Sequence, residues 1–155
     1  MFSNANAFDE CVIAATDEKL TKEDWSLMSV VCEKVYKAGD QGSRDCIVSI
    51  QKRLLHRNAN VQLYALTLTN TLVKECGISI HKEVCSRTFT STLTKMLNDR
   101  NTHDLVKNRT LDLIQEWSSE FRSNPALSIM DETYRQLRSQ NFQFPPQKPQ
   151  KEPSE

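Results

Sequence analysis

Residues 60–77, NVQLYALTLTNTLVKECG, decide the fold. Val61, Ala65, Leu68, Leu72 and Cys76 recur at i, i+4, i+7, i+11 and i+15, one apolar face of a helix. Leu63, Thr67, Asn70 and Lys74 repeat with the same period on the opposite side. Gly77 stops the pattern as a left-handed C-cap. The helical period then continues in both directions. Upstream, Leu27, Met28, Val31 and Val35 form a core face in a helix that Thr21-Lys22-Glu23-Asp24 opens as a variant capping box and that ends before Gly39. Trp25, Ser29 and Tyr36 make a separate stripe on it. The polar stretch Ala38–Gly42 reads as a loop, after which Ser43 and Asp45 open a helix carrying Ile47, Ile50 and Leu54. His56–Ala59 is a short break. An initial helix over Ala5–Ala15 carries Phe8, Val12 and Ala15.

Downstream, a short helix spans Ile80–Cys85, and another carries Phe89, Leu93, Met96 and Leu97. Asn98–His103 is a polar turn. Asp104–Phe121 carries Val106, Leu111, Leu113, Ile114, Trp117 and Phe121. Asn124-Pro125 interrupts, and Ala126–Ser139 presents Leu127, Met130, Tyr134 and Leu137. The expectation is an all-α fold, a right-handed superhelix of about eight helices, over residues 1–144. The remainder, 145–155, is proline-rich and charged and reads as a linker or tail, from which a longer natural protein is expected.

Composition narrows the function. The 155 residues hold 20 basic and 20 acidic side chains, so the chain lacks the basic excess of a nucleic-acid binder. Only three glycines occur, and no proline precedes Pro125, which suits stacked helices and not strands with tight turns. The five cysteines, an odd number without a CxxC pair, read as reduced core side chains in a reducing compartment. The N-terminus has neither a basic region nor a long apolar run, and no segment approaches a membrane span.

Several segments, in this order, resemble one family. EDWSLMSVVCEKV is similar to the second helix of VHS domains of the STAM/HSE type, in which an acidic pair precedes an exposed tryptophan. RDCIVSIQKRL with NANVQLYALTLTNTLVKECG resembles the third and fourth helices, and HKEVCSRTFTSTLTKML the next pair. LVKNRTLDLIQEWSSEF and YRQLRSQNFQFP resemble the last two helices and the exit strand. The resemblance covers about Ala5 to Pro145. It implies an ENTH/VHS-like superhelix at the N-terminus of an endosomal ESCRT adaptor that collects ubiquitinated cargo for the multivesicular body pathway. The setting is cytoplasmic, peripheral on the endosomal membrane, with a second ESCRT adaptor met through regions outside this chain. A ubiquitin-interacting helix and an SH3 domain follow in the STAM type, and neither is present in these 155 residues.

The resemblance also implies where ubiquitin binds, on the second and fourth helices. Carried over by position, Trp25 is the main contact, with Ser26, Ser29, Val30 and Glu33 beside it and Leu63, Thr67 and Asn70 as the second half. A tryptophan off the core face buries a large apolar area on contact. The competing reading packs Trp25 on the first helix or in a groove between helices. Ser29 departs from the family, which usually has leucine there. The lost contact weakens binding by about 1–2 kcal/mol.

Other functions compete. Recognition of acidic-dileucine sorting peptides needs a basic, apolar groove between the sixth and eighth helices, where Lys95 and Arg135 fall. Lys52, Arg53, His56 and Arg57 form a basic cluster that could give a weak membrane or phosphoinositide contact, although a helix C-terminus favours such residues anyway. A purely architectural role is a fourth reading. Catalysis and cofactors are not expected. Cys76-x4-His81-x3-Cys85 lacks a fourth zinc ligand. The carboxylates are scattered on outer faces, and no phosphate-cradling loop or Gly-x-Ser-x-Gly occurs.

Overall fold

The computed structural model describes residues 6–146, and the expected helix start at Ala5 and the tail from residue 147 onward lie outside them. The described residues contain helices and no strand. α1 (Asp9–Ala15) places Phe8, Val12 and Ala15 in the core. α2 (Trp25–Leu54) comprises two helical segments joined across a kink at Gly39, the expected second and third helices. Its cap is Asp24, not Thr21: the Asp24 carboxylate accepts from the Leu27 amide at 3.0 Å. Asp24 directly precedes the first helical residue with extended backbone, the position from which a short acceptor reaches the third amide. Thr21 stands too far upstream.

The expected loop at Ala38–Gly42 is instead one residue long. Gly39 alone leaves helical geometry, at φ 70° and ψ −152°, and the helix resumes after it. That region is essentially closed to residues with a Cβ. Gly42 serves a different purpose. It is buried, and a Cβ there would meet the Ala38 side chain at 2.4 Å and the Phe8 ring at 3.5 Å. The bend at Gly39 and the close pass of the Ala38 side chain over Gly42 together account for the glycine pair that reads as a loop. Gly39→Ala, whose added methyl meets no atom within 4 Å, is expected to cost about 1–3 kcal/mol through backbone strain alone. Urea denaturation followed by circular dichroism checks it, with unchanged stability as the contrary result.

α3 (Ala59–Glu75) begins at Asn58, whose side chain accepts from the Asn60 and Val61 amides. Gly77, at φ 75°, turns the chain into α4 (Ile78–Val84). Ser86 caps α5 (Arg87–Asn98), and the His103 ring caps α6 (Asp104–Phe121) by accepting from the Leu105 amide at 3.0 Å. Pro125–Leu127 forms a 3-10 turn, so the last helix, α7 (Ser128–Ser139), starts later than the apolar pattern suggests. The proline at the first position of that turn donates no amide and tightens it.

α2 touches α1, α3, α4 and α5, α3 packs on α6, and α6 packs on α7. The helices thus stack into the superhelix that the sequence implies. One apolar core runs through it from Phe8 to Leu137. Beyond α7 the chain folds back: Phe144 stands edge-on to Tyr134, and Gln115 Nε2 donates to the Pro145 carbonyl at 2.9 Å.

Two carboxylates tie the ends of this stack. Asp9 on α1 accepts from Ser49 at 2.7 Å and pairs with Lys52 at 3.1 Å on α2. Asp131 on α7 accepts from Ser118 at 2.7 Å and pairs with Arg122 and Arg135. Burial pushes both carboxyls upward. For Asp9, the hydrogen bonds from Ser49, Asn6 and Lys52 outweigh it. For Asp131, the Ser118 bond and the two arginines do so, and both carboxyls lie below the ordinary value of 3.8. A folded-state pKa below the unfolded one means that the unfolded chain binds more protons in between. The stabilisation is therefore complete above the ordinary value and is lost as pH falls through the folded values. Melting temperature is expected to fall on acidification below about pH 4, and Asp131→Asn to flatten that fall. An unchanged pH profile in the variant would contradict this origin.

Candidate functional site

Trp25 opens α2 and remains 59% exposed, while its neighbours Met28 and Val31 are fully buried. The competing reading, packing on the first helix or in a groove between helices, is met in part: Trp25 stays mostly exposed and stands at one wall of an open groove of about 680 Å³ between α2, α3 and α6. Ser29 and Cys32 continue that wall at i+4 and i+7. Thr67, Asn70, Thr71 and Lys74, with Glu75, form the facing wall, and Arg109 of α6 reaches it from the side.

Four of the eight positions singled out from sequence therefore share the groove: Trp25, Ser29, Thr67 and Asn70. Ser26, Val30 and Glu33 are exposed but lie one position round the helix from the Trp25 stripe, outside the groove lining. Val30 is an exposed apolar surface, at 51%. Leu63 differs more. It is half-buried and packs against the core, so it is not the free outer face that its spacing suggested.

Asn70 has a second task. Its Oδ1 accepts from the Trp117 indole N–H at 3.0 Å. Trp117 is fully buried, and an indole donor in such a place needs a partner. One face of the groove is thereby anchored to the core of α6. The groove is also not acidic. Lys74 and Arg109 stand with Glu75, and Arg109 is paired with Asp112 at 2.9 Å.

Sequence reasoning missed Cys32, Thr71, Lys74, Glu75 and Arg109 as site residues. Cys32 and Thr71 carried a usable signal, since each falls on the helical stripe of residues already chosen. Arg109 carried none, because only the packing of α6 on α3 brings it near.

The basic cluster is dispersed. Lys52 pairs with Asp9, and Arg53 donates to Thr16 Oγ1 at 2.9 Å and to the Thr16 carbonyl at 3.3 Å. Arg57 is exposed and lines a separate cleft with His56 and Lys95. Arg135, the second basic residue of the expected sorting-peptide groove, is paired with Asp131 at 3.0 Å. His81 is likewise engaged, its Nε2 lying 2.7 Å from the Val73 carbonyl and its ring against Phe121.

The family model of the VHS domain matches residues 3–141. The chain belongs to the VHS-domain family. Relatives similar to it include the class E vacuolar protein-sorting machinery protein HSE1 of Mycosarcoma maydis, 48% identical over 155 residues, covering 100% of this chain and 26% of that protein. The corresponding protein of Emericella nidulans is 48% identical over 147 residues, covering 94% of this chain and 25% of its own length. This VHS domain thus spans about a quarter of the curated relatives it matches. Among solved structures, the crystal structure of the VHS and FYVE tandem domains of Hrs superposes with a TM-score of 0.84 at 22% identity, over 95% of this chain and 67% of that one. The likeness supports the all-helical superhelix. VHS domains are adaptor modules, not enzymes, and no helix among the described residues is long and apolar enough to cross a membrane.

Proposed function

We propose that this VHS domain binds ubiquitin weakly through the Trp25 groove, as part of an adaptor that sorts ubiquitinated membrane cargo into the multivesicular body pathway. The HSE1 relatives, which are class E vacuolar sorting proteins by name, support the adaptor setting. That setting is cytoplasmic and peripheral on endosomes, with a second ESCRT adaptor engaged by other regions of the protein. One observation carries the ubiquitin reading: a large aromatic side chain, 59% exposed, stands at the mouth of a groove instead of in the core. Tryptophan is enriched among the few residues that carry most of the energy of a protein contact, and one set at a groove is placed to act as such an anchor.

The contact is small. Ser29 supplies no apolar surface one turn after Trp25, and Asn70 has one acceptor already committed to Trp117. The expected dissociation constant is on the order of 0.1–1 mM, about −5 kcal/mol. Avidity from further ubiquitin sites on the same adaptor would make such a contact useful. Equilibrium binding to immobilised monoubiquitin tests it. Saturable binding in that range supports the reading, and a flat response up to millimolar protein removes it.

A further inference from the structure

A second cleft lies at the edge of the superhelix, where the connection from α2 to α3 meets the end of α5. It encloses about 700 Å³ and is lined by Leu55, His56 and Arg57 of that connection and by Lys95, Asn101 and Thr102 of α5 and the turn after it. It shares no lining residue with the Trp25 groove. Its polar side chains are mostly donors. Arg57 and Lys95 are exposed, and neither makes an ion pair among the described residues. The Asn58 amide donates to His56 Nδ1 at 3.0 Å, so the neutral ring carries its proton on Nε2. The one carboxylate in the lining, Asp99, already accepts from the Asn101 amide at 2.8 Å.

Offsetting a helix dipole explains part of this charge. Lys52 and Arg53 fill the last turn of α2, and Lys95 that of α5. Arg57 lies past the helix end and is not explained that way. Leu55, 51% exposed on the rim, selects among anions. A dissolved phosphate gains nothing from an apolar side chain, whereas a lipid headgroup brings the bilayer against it. We propose that this cleft takes the phosphorylated headgroup of an anionic membrane lipid, with Leu55 entering the bilayer beside it. Arg57 and Lys95 pair with the phosphate oxygens, and His56 Nε2 donates to them. The basic cluster of the sequence thus loses Lys52 to Asp9 and Arg53 to Thr16, keeps Arg57, and gains Lys95 through the packing of α5 on α2. The contact does not depend on the ubiquitin reading.

The test sediments the full chain with vesicles of phosphatidylcholine alone, or of phosphatidylcholine with phosphatidylserine or a phosphatidylinositol monophosphate. The free inositol bisphosphate headgroup is titrated separately by NMR, and circular dichroism establishes that each variant is folded. Binding is expected to rise with the anionic lipids, most with the phosphoinositide. Arg57→Ala and Lys95→Ala are each expected to weaken it about fivefold, the usual worth of one basic side chain at an anionic surface. Leu55→Gln is expected to weaken vesicle binding and to leave the free headgroup's affinity unchanged, and Trp25→Ala to change neither. Four results would overturn the proposal: no vesicle binding above that of phosphatidylcholine, full binding by the folded Arg57 and Lys95 variants, headgroup binding with no gain on vesicles, or capture of a polyglutamate peptide in place of the vesicles.

Discussion

Trp117→Ala is expected to lower folding stability by about 3–5 kcal/mol. Trp117 has no exposed surface and sits where α6 packs on α3. Its removal leaves a cavity that the surrounding helices fill only in part. It also strands Asn70, whose Oδ1 loses the indole N–H. Trp117→Phe separates the two contributions, because it keeps most of the apolar volume and loses the donor. The phenylalanine variant is expected to lose about 1–2 kcal/mol, the net worth of the indole hydrogen bond to the half-buried Asn70 with some lost contact. Denaturant titration gives both values. A difference between alanine and phenylalanine of less than about 1 kcal/mol would mean that packing at this site is loose, against the full burial of the side chain.

Trp25→Ala has the opposite profile. Trp25 is mostly exposed, and the helix that follows is capped by Asp24 independently of the indole. Stability is expected to change by less than about 0.5 kcal/mol, as for surface positions generally. Ubiquitin affinity is expected to fall by about thirtyfold or more, the loss of an aromatic anchor worth about 2 kcal/mol. From a starting constant near 0.1–1 mM, that loss puts binding beyond the measurable range. The contrast between the two tryptophans is itself a test. On the proposed function one acts on the fold and the other on the partner, and a variant of Trp25 that unfolds the domain would refute the surface reading. Ser29→Leu provides a gain-of-function counterpart, expected to tighten binding by about 1–2 kcal/mol.

Much of the fold was legible because the helices are amphipathic over several turns. Val61, Leu68 and Leu72 in α3, and Leu93, Met96 and Leu97 in α5, fall on their buried faces as the period requires. The joints were less legible. Gly39 and Gly42 look alike in sequence, yet one bends the backbone and the other leaves room for the Ala38 side chain. Sequence pattern does not separate these causes. Thr21 and Asp24 are both good caps by residue type, and only the position of the first helical residue chooses between them.

The groove was half legible. Stripes of a single helix can be read from spacing, which is how Trp25 and Ser29 were placed together, and Thr67 with Asn70. That the two stripes face each other is a consequence of α2 packing on α3. Leu63 shows where spacing fails. It lies opposite the main apolar face of α3 by period, but α3 is covered by neighbours on more than one side, so it packs against the core all the same. Asn70 looked like a solvated polar residue and instead partners a buried indole from a distant helix. Basic residues near the end of α2 looked like a cluster, but Lys52 and Arg53 are drawn to Asp9 and Thr16 of the α1 region.

The most direct test of the ubiquitin reading is an NMR titration of the isotope-labelled domain with unlabelled monoubiquitin. The expected result is fast-exchange shifts centred on Trp25, Ser29, Thr67 and Asn70 and spreading to Cys32 and Thr71, all lost in Trp25→Ala. Absence of shifts at millimolar ubiquitin, or shifts centred on the cleft around Arg57 and Lys95 instead, would contradict it.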